Sequence, residues 1–211
     1  MKKYSLLIAL LLPLLILGQQ ESYYSLYRYN MNVINPAYAG AEAANMLSLT
    51  SRRQWASMDD APSTVAMSFS SARENNVGLG ISVVSDNVFI EQQTFAYVDF
   101  SYKLDMGESQ LYLGLKAGGN FYKADPSLLS SYTGGDPTQV ALSSFNPNIG
   151  AGAYYSASSF WVSFSIPRLF NSKRDVDLVV TAKDRVHSYV GGGAYIGISN
   201  GLILKPSLML R

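Results

Sequence analysis

Residues 111–122 read LYLGLKAGGNFY, and they alternate. Leu111, Leu113, Leu115, Ala117 and Phe121 fall on one face of an extended chain; Tyr112, Gly114, Lys116, Gly118, Asn120 and Tyr122 fall on the other. Successive side chains of a strand point to opposite faces, so this period of two marks a strand with one apolar and one polar side. The rhythm recurs upstream in TFAYVDFSYKL, where Thr94, Ala96, Val98, Phe100, Tyr102 and Leu104 oppose Phe95, Tyr97, Asp99, Ser101 and Lys103. It recurs downstream in FWVSFSI, which sets Phe160, Val162, Phe164 and Ile166 against Trp161, Ser163 and Ser165.

Extended along the chain, the pattern predicts about nine strands, over roughly 44–54, 62–71, 76–86, 92–104, 109–123, 146–156, 159–166, 186–198 and 201–211. Most joins are short and turn-like: Glu74-Asn75-Asn76, Asp105-Met106-Gly107-Glu108 and Ser199-Asn200-Gly201. Short joins between successive strands make an antiparallel meander. Two longer connections, 124–145 and 168–185, interrupt it, and the second holds much of the chain's charge.

A soluble sandwich also alternates, but its outward face usually carries many Lys and Glu. Here charged residues are 15% of the chain, the formal net charge is +1, and 48% is hydrophobic, with 15 tyrosines and 17 glycines. A barrel in a membrane needs only a mildly polar interior, and Gly, Ser and Tyr supply that. The fold expected is therefore all-β, a partial antiparallel transmembrane β-barrel. Aromatic residues near strand ends (Tyr102, Phe121, Tyr122, Tyr154, Tyr155, Phe160, Trp161) are expected to form girdles at the headgroup level.

The first eighteen residues give an address. Lys2 and Lys3 precede the apolar run Leu6–Leu17, and Gly18 precedes polar Gln19-Gln20-Glu21. This is the pattern of a secretory signal peptide, too short to span a bilayer of about 30 Å. There is no Cys in the chain, so no lipid attachment at residue 19, no disulfide and no thiolate metal site are expected. Beyond residue 19 no window holds 18 apolar residues, so a membrane location would require strands. The expected organisation is 1–18 signal peptide, 19–43 a Tyr-rich N-terminal segment with the loop INPAYAG, and 44–211 the barrel.

Chemistry-bearing motifs are sparse. The single histidine, His187, stands at a strand start, and no G-x-S-x-G, H-E-x-x-H or phosphate-binding loop occurs. Gly191-Gly192-Gly193 lacks the strand-loop-helix setting of a phosphate cradle and reads as close strand packing. Asp59-Asp60 reads as a solvated turn. No enzyme, cofactor, metal or nucleic-acid binding is expected.

The candidate site residues lie at the N-terminal end. In INPAYAG (34–40), Pro36 fixes its own φ and holds Asn35 extended, and Gly40 permits a sharp reversal before the first strand. Tyr38 belongs to the same loop. The segment preceding it is expected to fold back into the barrel mouth, with INPAYAG as its fixed hinge. Arg52, Arg53, Gln54 and Trp55 end the first strand, and Pro62 follows the turn. They read as headgroup anchors or as a cationic-aromatic docking patch.

The order INPAYAG, strand, RRQW, a turn with APST, and a strand ending in SFSS resembles the start of the PorP/SprF family. These are outer-membrane proteins of the Bacteroidetes type IX secretion and gliding-motility apparatus. NVGLGISVVSD, FNPNIGAGAYYSASSFWVSFSIPRLF and LKPSLMLR are similar less specifically. The resemblance implies a non-enzymatic outer-membrane barrel whose partners are membrane lipid, other type IX secretion components and a cognate secreted surface protein. It would support export or surface anchoring of that protein, or tether periplasmic components. A porin-like channel and a secreted soluble β-sandwich binding protein are the alternatives. Family members run on for several strands past the LKPS segment, and single-chain barrels have even strand numbers, so the chain is expected to be incomplete at its C-terminus.

Overall fold

The computed structural model describes residues 27–55, 57, 61–125, 142–170, 186–199 and 201–211. Strands dominate, in the order β1 (Met46–Arg53), β2 (Ser63–Ala72), β3 (Val77–Val88), β4 (Glu91–Met106), β5 (Ser109–Ala124), β6 (Leu142–Ser156), β7 (Phe160–Ile166), β8 (Tyr189–Ala194), β9 (Ile196–Ser199), β10 (Leu202–Leu204) and β11 (Ser207–Leu210). One short helix, α1 (Met31–Ile34), lies between 3-10 turns at Tyr27–Tyr29 and Pro36–Tyr38. No helix among the described residues is long and apolar enough to cross a membrane.

Nine strands form one antiparallel sheet in the order β1-β2-β3-β4-β5-β6-β7-β8-β11, a curved half-barrel open along β1 and β11. Each strand from β1 to β8 pairs with its sequence neighbour, as a meander of short turns requires. β9 and β10 form a separate pair. They continue β8 and β11 into one long hairpin, and the Ala194 N–H donates to the Pro206 carbonyl at 3.0 Å across its break. Pro206 has no N–H for a ladder, which is why the strand expected over 201–211 splits there. β6 begins earlier than the alternation suggested, at Leu142, because Leu142–Phe145 pair with Phe121–Ala124 of β5.

Alternation fixes which side faces which medium. Leu113, Leu115, Val98, Phe100, Val162 and Phe164 lie on the convex side and are exposed. Tyr97, Asp99, Ser101, Tyr112, Lys116, Asn120, Tyr154, Trp161 and Ser165 lie on the concave side and are buried. An apolar belt turned outward and a mildly polar interior is the pattern of a membrane barrel, with lipid as the outer solvent.

The girdle expectation needs correction. Tyr102, Phe121 and Phe160 are exposed on the convex side, and Tyr155 packs against Phe160 with ring centroids 5.7 Å apart. Tyr122, Tyr154 and Trp161, however, are buried on the concave side. They share the parity of the interior positions, and parity outranks nearness to a strand end.

Candidate functional site

What fills the concave side is the chain's own N-terminal segment. α1 packs on β2 and β3, and the 3-10 turn Pro36–Tyr38 packs on β4, β5 and β6. Met31, Ile34, Asn35, Pro36, Ala37 and Ala39 are buried. Met31 and Ala37 form a core with Tyr112, Tyr154 and Trp161 of the wall.

The local chemistry of INPAYAG sets its path. Asn35 is extended, with φ −128° and ψ 112°, because the Pro36 ring disfavours the helical region for the residue before it. α1 therefore stops at Ile34. Pro36 opens the 3-10 turn, where a missing N–H costs nothing, and Asn35 caps that turn, its Oδ1 accepting from the Ala37 N–H at 2.9 Å. Gly40, with φ +75°, turns the chain out towards β1.

Backbone groups that this irregular path leaves free are met by the wall. The Asn35 Nδ2 donates to the carbonyls of Ala153 (3.0 Å) and Phe164 (3.5 Å). The Ser165 hydroxyl donates to the Ile34 carbonyl at 3.0 Å, and the Ser101 hydroxyl donates to that of Ala39. The last carbonyls of a helix have no partner within it, and here a cation takes them. Lys116 Nζ donates to the carbonyls of Asn32 (3.0 Å) and Val33 (3.1 Å) and to the Ser82 hydroxyl (3.1 Å).

Lys116 also pairs with Asp99 Oδ1 at 3.0 Å, both side chains being almost fully buried. Asp99 Oδ2 accepts from Asn32 Nδ2 at 3.0 Å, and the ammonium lies 5.2 Å from the centre of the Tyr97 ring. Two buried charges that pair with each other and take these hydrogen bonds are tolerable; either one alone would cost several kcal/mol. The pair therefore clamps the helical turn to the sheet.

Small residues let the segment approach so closely. A Cβ on Gly114 would stand 2.1 Å from the Ala37 nitrogen, on Gly152 2.1 Å from Asn35 Oδ1, and on Gly78 2.0 Å from the Ala39 carbonyl oxygen. A Cβ on Gly80 would stand 2.7 Å from Asn32 Nδ2. These glycines form a track on the concave face, into which the motif fits without space for one more carbon.

Tyr38 packs edge-on against Tyr154, with centroids 5.1 Å apart at 85°, and its hydroxyl donates to Glu42. Burial first, then that hydrogen bond, pushes the phenol far above the ordinary tyrosine value, so it stays protonated.

The structure thus brings Asn35, Pro36, Tyr38 and Gly40 together in one seat. The segment was expected to fold back into the barrel mouth with INPAYAG as its fixed hinge; residues 30–32 and, but for half-buried Tyr38, INPAYAG lie buried side by side on the concave side. Residues 19–26 lie outside the described set. Arg52, Arg53, Gln54, Trp55 and Pro62 lie at the far end of β1 from Met46, where the segment joins the sheet. There the Gln54 N–H donates to the Pro62 carbonyl at 2.9 Å, and Trp55 is 65% exposed.

Asp99 and Lys116 were not singled out from the sequence, although both fall on predicted polar faces. They stand equidistant from the β4–β5 turn and so face each other across the hairpin, a signal readable by counting outward from Gly107. His187 is half-buried ahead of β8. Gly191–Gly193 pair on both sides with β7 and β11, and a Cβ on Gly193 would meet the Trp161 indole at 2.5 Å. The triplet is close strand packing. Asp59 and Asp60 lie outside the described residues, and no cluster able to hold a metal occurs among those described.

A family model described as type IX secretion system membrane protein PorP/SprF matches residues 16–211, nearly the whole chain. The chain belongs to the PorP/SprF family. No curated protein and no solved structure matches it. As a PorP/SprF protein it is a membrane component of the type IX secretion system, and that assignment agrees with the lipid-facing belt. The PorP/SprF resemblance seen in INPAYAG and RRQW thus extends over the barrel strands.

Proposed function

We propose that this chain is a non-enzymatic outer-membrane anchor of the type IX secretion system, exported by its first eighteen residues. It supports the export or surface anchoring of a cognate secreted protein or tethers periplasmic components. The observation that carries this reading is the seated segment: the concave side of the sheet is covered by residues 31–39 rather than left as a polar conduit.

Loop lengths support an orientation. The connections after β2, β4 and β6 are all short, whereas at the other end those after β1, β5 and β7 are longer and only the one after β3 is a tight turn. Barrels of the outer membrane keep short turns on the periplasmic side. On this reading the start of β1 and the Tyr38–Glu42 edge of the segment face the periplasm, where secretion components would dock. Arg52, Arg53 and Trp55 then stand at the outer rim, suited to headgroups or to a surface partner.

The test is deletion of the gene followed by comparison of surface and released proteins. A specific surface protein is expected to be lost from the cell surface, retained inside or shed; an unchanged surface proteome overturns the reading. In planar bilayers the protein is expected to be silent. Steady conductance would favour the channel alternative.

A further inference from the structure

The convex belt is not uniform. Two rows of outward residues cross neighbouring strands. One contains Phe69, Ile81, Val98, Ala117 and Ile149; the other contains Ser71, Leu79, Phe100, Leu115 and Ala151. Ala117 and Ala151 are small where their neighbours are large, and between the rows lies a depression of about 620 Å³ with almost wholly apolar walls. Leu169, whose N–H donates to the Ile149 carbonyl at 2.8 Å, extends the wall beyond β6. Such a volume matches small-molecule sites rather than the shallow grooves between side chains on an ordinary surface.

One end of this depression is polar. Arg73, in the β2–β3 turn, stands at its rim and forms no salt bridge among the described residues. Arg73 lies four positions beyond Phe69, about 13 Å along a strand. That is about half the height of a barrel's apolar band. A groove starting at a free guanidinium near the headgroups and ending near mid-bilayer has the dimensions and polarity of one lipid tail and its head.

We propose that this depression is a specific binding site for one phospholipid with an anionic headgroup. One acyl chain lies over Ala117 and Ala151, and the phosphate pairs with Arg73. The site lies on the opposite side of the sheet from the seated segment, and it does not depend on the secretion role. Lipid is the occupant because the walls belong to the lipid-facing belt, and Arg73 at the rim is positive and in no salt bridge among the described residues. A guanidinium matches phosphate in geometry as well as in charge.

The test uses the full chain folded into vesicles of equal phosphatidylglycerol and phosphatidylcholine, then extracted into detergent and weighed by native mass spectrometry. About one retained lipid per chain is expected, with phosphatidylglycerol preferred about fivefold, the worth of one basic residue at an anionic surface. Arg73→Gln is expected to bring that preference to parity. Ala117→Phe, which fills the groove from the lipid side, is expected to abolish retention while leaving heat-modifiable gel migration unchanged. No retained lipid in the unaltered chain, equal retention of the two lipids, or the same retention in both variants overturns the proposal.

Discussion

In the middle of β4 and β5, Asp99 and Lys116 point to the concave side and are sealed there, paired with each other and hydrogen-bonded to the N-terminal segment and to Ser82 of the wall. One residue away on the same strands, Val98 and Leu115 point to the convex side and are 57% and 64% exposed. The backbone is shared, and the two sides still obey different rules. The concave side demands particular atoms at particular distances, since an unmatched charge or one extra carbon has nowhere to go. For folding, the convex side demands only that the side chain dissolve in lipid. Substitutions should therefore be judged by parity before chemistry.

The strongest way to break this contrast is Lys116→Ala. It leaves Asp99 buried and unpaired and frees two helix-end carbonyls, and a loss of about 3–5 kcal/mol is expected, measured by urea titration of the refolded protein in vesicles. Replacing both partners, as in Lys116→Met with Asp99→Leu, is expected to recover much of that loss. A double variant as weak as the single one would show that the carbonyl contacts, not the charges, hold the segment.

Leu115→Arg, on the other face of the same strand, is expected to cost about 2–4 kcal/mol, because a charge near the mid-bilayer is unwelcome in lipid. Leu115→Ile should be close to silent in the same titration. A large loss with Ile would mean that the convex side is a packed interface and not a solvent-like belt.

Asn35→Ala removes the cap on Ala37 and two contacts to the wall, and a loss of about 1–3 kcal/mol is expected from the unsatisfied groups left behind. The sharper readout is protease cutting within residues 27–43, expected to rise in the variant and to stay low in the parent. Gly114→Ala should act in the same direction, at about 1–3 kcal/mol for an overpacked contact. Gly197→Ala, where an added Cβ meets nothing within 4 Å, is the control and should change neither readout.

Much of this architecture was legible because one face of each strand had to be apolar. Alternation around Leu111–Tyr122 and Thr94–Leu104 located the strands and their two faces, the short joins gave their partners, and the low charge of the polar face pointed to lipid on the other. It also kept Lys116 and Asp99 together on the polar side. What it could not convey was the occupant of that side. Gly114 and Gly152 look in sequence like weak strand residues, and only the path of Pro36 and Asn35 above them makes them a track. Tyr154 and Trp161 were misplaced for the same reason: an aromatic ring near a strand end suits a headgroup layer and an internal core equally well until something is known to fill the core. Pro206 hid a break because the residues on either side of it alternate without interruption.

The position of the seated segment in the chain sets the order in which the molecule can be completed. Ile34 receives its hydrogen bond from Ser165, 131 residues later, and Asn35 reaches Ala153 and Phe164 across comparable spans. An early part of the chain thus depends on partners that lie late in it. Until β6 and β7 arrive, the segment has only part of its seat, and a sheet that curls early would shut it out. The seat is whole only when the strands from β2 to β7 are all in place, so the seated segment reports on the closure of the entire wall.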